Sequence, residues 1–279
     1  MTTDVARPTI APAATSENLA MLPPSEQMRL FFTTLFEPSD LILFRPIETW
    51  TDSDGRKRSN VLYKSVRHRR LGVCDNDRNW SWQPNLWESL ARSSIQLGEK
   101  SHANIFFGVC PRFGSDGKYD KAWQIRNVRC VWADLDGVSV EEAVKRCHKN
   151  QVPMPTVVVS TGNGVHFYWK LSEPFLIDDV PDPLPILRSR TLKNARGKSE
   201  SVIIDPTNGK KEIPYSANIA PPMSNKALHI QSIMQGINAV IGGDHTKDLS
   251  RILRVPGTAN RKNERNGDAA KPCSLISIS

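Results

Sequence analysis

At residues 128–137 the chain reads VRCVWADLDG, an apolar run that ends in two carboxylates, Asp134 and Asp136. The run is typical of a buried strand, and side chains alternate between the faces of a strand, so Asp134 and Asp136 leave the same face. Two like charges this close repel each other unless a divalent cation lies between them. The run therefore predicts a strand that presents a metal site at its end.

An aspartate pair of this kind has several uses and does not define a function alone. The D-x-D pattern occurs in nucleotide-sugar transferases, in phosphatases of the haloacid-dehalogenase type and in solvated turns. The phosphatase motif D-x-D-G-T is nearly matched, but Val138 replaces the threonine and the motif lies in the middle of the chain. The phosphatase is therefore kept only as a secondary alternative.

The composition places the chain among soluble globular proteins. Of its 279 residues, 39% are hydrophobic and 24% are charged, and no apolar run approaches the roughly 20 residues that cross a bilayer. The N-terminus lacks the layout of a secretory signal, which predicts a cytoplasmic location and no membrane partner. Lys and Arg outnumber Asp and Glu by 37 to 29, a net charge of +8. This excess suits a nucleic-acid partner, and it is equally compatible with an ordinary basic enzyme.

The cysteines indicate neither a disulfide framework nor a zinc ribbon. There are five of them, an odd number, and no C-x-x-C spacing occurs. We expect them to be reduced and mostly buried.

The chain is predicted to form one α/β domain from residue 25 to residue 279, with a mixed, largely antiparallel central sheet flanked by helices. Residues 1–24 are rich in Ala, Pro, Thr and Ser and are predicted to be a disordered lead-in. Periodicity, caps and turn residues predict the elements that follow. These are a helix from Ser25, strands at 41–50 and 60–66 joined by a polar, charged turn at 51–59, a helix at 84–97, a strand at 104–110 and the strand with the aspartates. They continue with a helix from the Ser139 cap to Asn150, a hairpin of strands 156–160 and 165–171, and a helix at 224–241 that Gly242 and Gly243 end.

Residues 178–225 interrupt this regular pattern. They contain many prolines and then a basic run, Arg188, Arg190, Lys193, Arg196, Lys198, Lys210 and Lys211. One interpretation is a solvated, mobile insertion, and the other is an arm that contacts a nucleic-acid backbone.

A second segment with candidate site residues is STGNGVHFYW, residues 160–169. Gly162, Asn163 and Gly164 predict a tight turn that leaves backbone N–H groups open. His166 lies two residues after Gly164, so both face one surface of the strand that follows. Such a surface predicts a cradle for a triphosphate, with the imidazole donating to a phosphate oxygen. A structural histidine is the alternative.

The third segment is DHTKDLSRILRVPGTANRK, residues 244–262. It offers two carboxylates, Asp244 and Asp248, and then Arg251 and Arg254. We predict that the arginines lie one helical turn apart and bind phosphate oxygens. Pro256 and the glycine after it end this element and expose the loop at 258–262. A structural cluster of salt bridges is the alternative.

In this order the three segments resemble the archaeo-eukaryotic primase superfamily, especially the primase-polymerase domains of plasmid, phage and mobile-element replication proteins. Its first motif, D-x-D at the end of an apolar strand, is matched by Asp134 and Asp136. Its second motif, S-x-G-x-G-x-H-x-Y-W, is matched by Ser160, Gly162, Gly164, His166, Tyr168 and Trp169. Its third motif, an acidic residue and then R-x-x-R-x-P-G-T-x-N-x-K, is matched by Asp248, Arg251, Arg254, Pro256, Gly257, Thr258, Asn260 and Lys262. The resemblance spans about residues 104–262.

The resemblance implies a template-directed nucleotidyltransferase, a DNA primase or DNA polymerase, with a recognition-motif-like core and an open cleft. It implies that Asp134, Asp136 and Asp248 hold two Mg²⁺ or Mn²⁺ ions. It also implies that the triphosphate of an NTP or dNTP is bound by Ser160, Gly162, Asn163, Gly164, His166, Arg251, Arg254, Asn260 and Lys262. Single-stranded DNA is the implied template, and a helicase or another replication domain on the C-terminal side is compatible with the resemblance.

Two departures from the family pattern are visible. The insertion between the second and third motifs is longer than the pattern leads us to expect, so no role is carried over to it. Asp244 competes with Asp248 for the third acidic position, and we predict Asp248 because it lies three residues before Arg251, as in the family pattern. A catalytically inactive nucleic-acid-binding module on the same fold is the alternative to an enzyme.

Overall fold

The structure is a computed structural model that describes residues 19–113, 120–180, 189–193, 195–197, 199–204, 212–214, 223–245 and 247–279. Its α-helices are α1 (Pro24–Leu35), α2 (Leu86–Ser101), α3 (Val140–Lys149) and α4 (Asn225–Ile241). Its strands are β1 (Leu41–Thr51), β2 (Lys57–Val61), β3 (Arg67–Arg70), β4 (Gly72–Cys74), β5 (Trp80–Trp82), β6 (Ala103–Gly108), β7 (Asn127–Asp136), β8 (Val157–Ser160), β9 (Gly164–Leu176), β10 (Ser189–Lys193), β11 (Ser199–Ile204), β12 (Glu212–Pro214), β13 (Ile252–Arg254), β14 (Thr258–Asn260) and β15 (Lys271–Ile278).

Two five-stranded sheets form the body of the described chain. The first has the order β13-β6-β1-β2, with β3 also paired to β1, and the second has the order β14-β15-β8-β9-β7. The smaller sheets are β10-β11-β12 and the β4-β5 hairpin. Every pair of strands in the described chain is antiparallel. The predicted fold class, an α/β fold with largely antiparallel sheets and flanking helices, is confirmed.

Helix α1 joins the two large sheets because one side of it is apolar. That side consists of four fully buried residues at helical spacing, Met28, Phe31, Phe32 and Leu35. The ring of Phe31 lies 5.2 Å from that of Phe107 in the first sheet and 5.2 Å from that of Tyr168 in the second. Both contacts are edge-to-face, the arrangement that aromatic rings prefer. The two sheets therefore share one apolar core.

The predicted helix ends of α3 and α4 are confirmed. The hydroxyl of Ser139 accepts a hydrogen bond from the backbone N–H of Glu142 at 3.2 Å, which caps α3. Helix α4 ends at Gly242, whose φ of 71° is the left-handed conformation that glycine adopts without strain. Ser224 caps the other end of α4 through the backbone N–H of Ala227.

The edge of the first sheet differs from its prediction. A second strand was expected at residues 60–66, whereas β2 ends at Val61 and a 3₁₀ turn, Tyr63–Ser65, leads into β3. Strand β1 is 11 residues long, and β2 and β3 pair with its two halves. Strand β1 thus pairs with two short strands, β2 and β3, instead of one longer strand. The sequence pattern of residues 60–66 does not indicate this division.

The third motif also folds differently from its prediction. Arg251 and Arg254 were predicted to lie one helical turn apart, but Ile252–Arg254 is strand β13, which pairs with β6. Leu253 is buried there opposite Phe107. Leu253 therefore favours an edge strand, because an edge strand can bury this side chain in the shared core.

The predicted start of the domain needs a correction. Leu19, assigned to the lead-in, is only 7% exposed, and Leu22 packs against the core. The described chain thus contributes to the core before α1 begins, because these two apolar side chains cover the adjacent core residues. Residues 1–18 lie outside the described residues.

Parts of the predicted insertion at 178–225 lie outside the described residues, among them Arg188, Lys198, Lys210 and Lys211. Strands β10, β11 and β12 form an antiparallel sheet within it. Four of the five cysteines are buried and Cys74 is exposed, all of them as free thiols. No described helix has the length and apolar character needed to cross a membrane.

Candidate active site

A cavity of about 330 Å³ lies where the two large sheets meet. Strands β7 and β9 of the second sheet supply one wall, and β1, β2, β6 and β13 of the first sheet supply the other. Residues from all three predicted motifs line it, together with residues that the sequence did not indicate. The lining side chains with charge or hydrogen-bonding groups include Asp134, Asp136, Asn163, His166, Asp244, Arg251, Arg254, Asn260, Lys262 and Asn263.

The first and second motifs meet because β7 and β9 are neighbours. Asp134 pairs with His166 and Asp136 pairs with Gly164 in this antiparallel ladder. Paired residues present their side chains on one face, and the Asp134 Oδ1 and His166 Nε2 atoms are 3.5 Å apart. A Cβ atom at Gly164 would lie 2.3 Å from the carbonyl oxygen of Leu135. Glycine at this position thus lets the strand that carries His166 approach the aspartates closely.

Asp134 is held by the third motif. Its side chain is buried, and Oδ2 accepts a hydrogen bond from Arg251 Nη2 at 2.8 Å. A buried carboxylate requires a partner of opposite charge, and Arg251 provides it. The Nε atom of Arg251 is buried and has no hydrogen-bond partner among the described residues. The Arg251 side chain as a whole is 35% exposed, so its guanidinium can also contact an anionic ligand beside Asp134.

His166 is a neutral imidazole in this setting. Burial lowers its pKa to about 3, and the charges of Arg254 and Arg251 act in the same direction. The Tyr168 hydroxyl lies 3.3 Å from His166 Nδ1, and burial holds the pKa of that phenol well above its ordinary value. A neutral phenol can donate or accept, but the Asp134 carboxylate beside Nε2 only accepts, which places the imidazole proton on Nε2 and makes the phenol the donor to Nδ1.

This low pKa predicts that the metal-free protein loses stability below neutral pH. Between pH 6.5, the ordinary pKa, and about 3, the unfolded chain binds a proton at His166 that the folded chain does not. Stability is therefore unaffected by His166 above pH 6.5 and falls below it by up to about 1.4 kcal/mol per pH unit. Urea unfolding in EDTA at pH 7 and pH 5 measures this. Between pH 7 and pH 5 the free energy of unfolding should fall by about 2 kcal/mol less in His166→Gln than in the unchanged protein. An equal fall in both proteins would contradict the low pKa assigned to His166.

The third carboxylate at the cavity is Asp244, and this corrects the prediction of Asp248. The backbone N–H of Asp244 donates to the carbonyl oxygen of Asp134 at 2.7 Å, and Asp244 lines the cavity. Burial and the charges of Asp134 and Asp136 raise the pKa of Asp244. The three carboxylates are thus close enough to repel one another.

Asp248 is used locally instead. Its Oδ1 atom accepts hydrogen bonds from the backbone N–H of Ser250 at 2.9 Å and from the Ser250 hydroxyl at 3.0 Å. It is not among the residues that line the cavity. Asp248 therefore stabilises the turn before Arg251. Its position three residues before Arg251 is as compatible with this role as with metal binding.

The carboxylates around the cavity fit a divalent cation by donor type and by charge. Carboxylate oxygens are the ligands that Mg²⁺ and Mn²⁺ prefer, and a cation would relieve the repulsion that raises the pKa of Asp244. Within the described residues no three His, Cys, Asp or Glu side chains are grouped closely enough to hold a metal ion as they stand. Asp134 instead has Arg251 as its counter-ion.

Arg254 forms the cationic wall opposite the aspartates. Its Nε atom donates to Asn104 Oδ1 at 3.1 Å, and its guanidinium carbon lies 5.3 Å from the ring centre of Phe106. Burial lowers its pKa, an effect opposed by the charges of Asp134 and Asp136, but an arginine remains cationic at neutral pH. Asn104 was not predicted as a site residue, and it positions Arg254.

Several predicted triphosphate ligands lie elsewhere. Ser160, Gly162 and Gly164 line a separate hollow beside the start of α3, outside the main cavity. Gly162 has a φ of 76°, so its role is in the turn. Asn163 and Lys262 do line the cavity. Asn260 also lines it, but its Nδ2 atom donates to the carbonyl oxygen of Thr161 at 2.8 Å, which connects the third motif to the second.

Sequence reasoning missed the wall that the β1–β2 hairpin contributes. Its lining residues are Thr49, Trp50, Lys57, Arg58 and Ser59, with Phe106 of β6 beside them. Residues 51–59 were predicted only as a charged turn. The hairpin reaches the cavity because β1 pairs with β6, Glu48 opposite Ala103 through Phe44 opposite Phe107. No local signal in the sequence indicates that long-range pairing.

Comparisons with known proteins find similarity in the fold. No protein-family model and no curated protein sequence matches the chain. The structure is similar to the AEP domain of the primase-polymerase of cyanophage S-2L, with a TM-score of 0.48 and 14% identity, over 91% of this chain and 90% of that chain. It is also similar to primase RepB', with a TM-score of 0.41 and 10% identity, over 92% of this chain and 56% of that chain.

Proposed function

We propose that this protein is a template-directed nucleotidyltransferase, a DNA primase or primase-polymerase of the archaeo-eukaryotic primase superfamily. The observation that carries the proposal is one cavity that brings together Asp134, Asp136 and Asp244 with His166 and two arginines. These groups come from three segments that are far apart in the chain, in the order of the superfamily's motifs. A fold that brings residues of all three segments to one cavity supports the function that the motifs imply.

The reaction joins a 3′-hydroxyl to the α-phosphorus of an incoming nucleotide and releases pyrophosphate. Asp134, Asp136 and Asp244 would hold Mg²⁺ or Mn²⁺, and such a cation would activate the attacking oxygen and offset phosphate charge. The arginines and His166 act on the nucleotide itself. In a cavity that partly excludes water, their donors stabilise the charge of the transition state more strongly than they would in water.

The donors on the two walls have distinct roles in this proposal. Arg251, whose side chain is 35% exposed, offers its guanidinium to a phosphate oxygen. Arg254, fixed by Asn104 and stacked on Phe106, presents a preorganised cation. His166 is neutral, so its Nε2–H donates a hydrogen bond without adding positive charge. Asp134 orients Arg251 through their ion pair.

The deciding experiment supplies a single-stranded DNA template with and without a primer, labelled NTPs or dNTPs, and Mg²⁺ or Mn²⁺. We expect metal-dependent incorporation of the complementary nucleotide. Products without a primer identify a primase, and extension only with a primer identifies a polymerase. Metal-dependent nucleotide binding without any incorporation would instead identify an inactive binding module. Phosphate release from a small phosphomonoester without a template would identify a phosphatase.

A further inference from the structure

The positive charge of the protein is concentrated in one short segment. Residues 56–70 read RKRSNVLYKSVRHRR and contain seven Lys or Arg and no Asp or Glu, whereas the net charge of all 279 residues is +8. We call this segment, which comprises Arg56, β2, the 3₁₀ turn and β3, the basic edge. Like charges packed this densely repel one another and destabilise the folded state unless a polyanion neutralises them.

The basic edge runs without interruption along β1, on the edge of the first sheet opposite β6. Lys57 pairs with Thr51 at one end of β1, and Arg70 pairs with Leu41 at the other end. Residues 57–70 thus run once along the whole of β1, roughly 33 Å at about 3.3 Å per residue. Lys57 and Arg58 also line the catalytic cavity. The basic edge therefore begins at the active site and leads away from it.

Most of these charges have no counter-ion among the residues that the structure describes. Arg58 pairs with Asp52 at 2.7 Å, and it is the only one of the seven that forms an ion pair within the described residues. Arg67 donates to backbone carbonyl oxygens, and Arg70 donates to the carbonyl oxygen of Ser39. The contacts of the basic edge thus orient several of its cations without neutralising them.

An exposed aromatic residue lies in the middle of the basic edge. Tyr63, in the 3₁₀ turn between β2 and β3, is 79% exposed, so its ring contributes little to the core. At the far end Trp80 is 38% exposed, and the guanidinium of Arg70 lies 5.2 Å from its ring centre. Aromatic rings interspersed with cations are the combination that binds single strands, because unpaired bases stack while phosphates pair with Lys and Arg.

From this geometry we propose that the basic edge binds the single-stranded DNA template, with Tyr63 stacking on one of its bases. The proposal rests on the function proposed above and names the surface that would guide the template to the cavity. A duplex would use the charges but not the ring, because its bases are already stacked on one another. The exposed ring therefore favours a single strand as the occupant.

Fluorescence anisotropy of a labelled oligothymidylate tests the proposal with the full chain in EDTA. An oligonucleotide of about 15 residues suits the usual site sizes of such surfaces, about 4 to 16 nucleotides. We expect Tyr63→Ala to weaken binding by about 5- to 150-fold, the usual effect of losing one stacked base. Tyr63→Phe keeps the ring and should bind as the unchanged protein does. Because the side chain is exposed, neither variant should alter the thermal midpoint appreciably.

The charges are tested by the dependence of binding on salt. Lys64→Ala combined with Arg69→Ala should reduce the slope of log affinity against log salt by about 1.4, two contacts at about 0.7 each. The matched control is Lys145→Ala combined with Lys149→Ala, which removes two exposed charges from α3 and should leave the slope unchanged. Equal slopes in both double variants would overturn the proposal.

Two further outcomes separate this proposal from the proposed function. Wild-type affinity in Tyr63→Ala, or equally tight binding of a duplex with the same number of phosphates, would overturn the template surface. Either result would leave template-directed incorporation standing if the wild-type protein still performs it. In contrast, Asp134→Asn should retain single-strand affinity, since Asp134 is not on the basic edge. Binding that depends on Tyr63 in a protein without incorporation would support the surface and refute the enzyme.

Discussion

Asp134→Asn is expected to abolish nucleotide incorporation, with a loss of about 10³-fold or more. Asp134 is the buried member of the carboxylate group and faces both His166 and Arg251. The amide keeps the size of the side chain but removes the charge that would hold a cation, and such a cation supplies several kcal/mol of transition-state stabilisation. The measurement is primer extension at saturating nucleotide and metal.

The fold should survive this substitution. Asparagine still offers an oxygen to Arg251 Nη2, so the guanidinium keeps a hydrogen-bond partner. Circular dichroism and the thermal midpoint report on this directly. Asp77→Asn, an exposed position in the turn between β4 and β5, is the matched control and should keep full activity. An active, normally folded Asp134→Asn protein would refute the proposed mechanism.

The second large effect is expected for Asp244→Ala, paired with Asp248→Ala. Asp244 lines the cavity with the other two carboxylates, whereas Asp248 accepts hydrogen bonds from Ser250. We expect Asp244→Ala to reduce incorporation by about 10²-fold or more, since it removes a ligand for the cation. Asp248→Ala should lower stability by about 1 kcal/mol, the usual value of a lost hydrogen bond, and should keep activity within a few-fold.

Primer extension combined with urea unfolding separates the two roles. The reverse result, an inactive Asp248→Ala and an active Asp244→Ala, would restore the assignment that follows from motif spacing. It would also mean that the turn at Asp248 rearranges when metal and nucleotide bind. Loss of activity in both variants with unchanged stability would assign both carboxylates to the site.

Much of the framework could be predicted from the sequence because it depends on neighbouring residues. The apolar run before Asp134, the Ser139 cap and the glycine stop at Gly242 are local signals, and the structure has each of them as predicted. The approach of Asp134 to His166 is different, because it depends on the pairing of β7 with β9 across the helix between them. Local pattern is a good guide wherever the stabilising contacts lie within a few residues.

Motif spacing was less informative about the roles of individual residues. Asp248 and Asp244 are four positions apart in the chain. The spacing to Arg251 favoured Asp248 as the third acidic residue, whereas Asp244 is the one that lines the cavity. The glycines of the second motif were predicted to cradle phosphate, but Gly164 is needed where β9 passes close to Leu135. A glycine permits both uses, and the backbone around it decides which one applies.

By itself the sequence determined the fold class, the aspartate strand and the identity of most charged groups near the cavity. Only the tertiary structure decided that Asp244 faces Asp134 and that the β1–β2 hairpin forms a wall of the cavity. It alone placed the cations of residues 56–70 along one edge that starts there. These features arise from strand pairs such as Phe44 with Phe107 and Leu253 with Phe107, which join residues far apart in the chain. Such pairs form because the whole core is buried at once, and no short stretch of sequence carries that information.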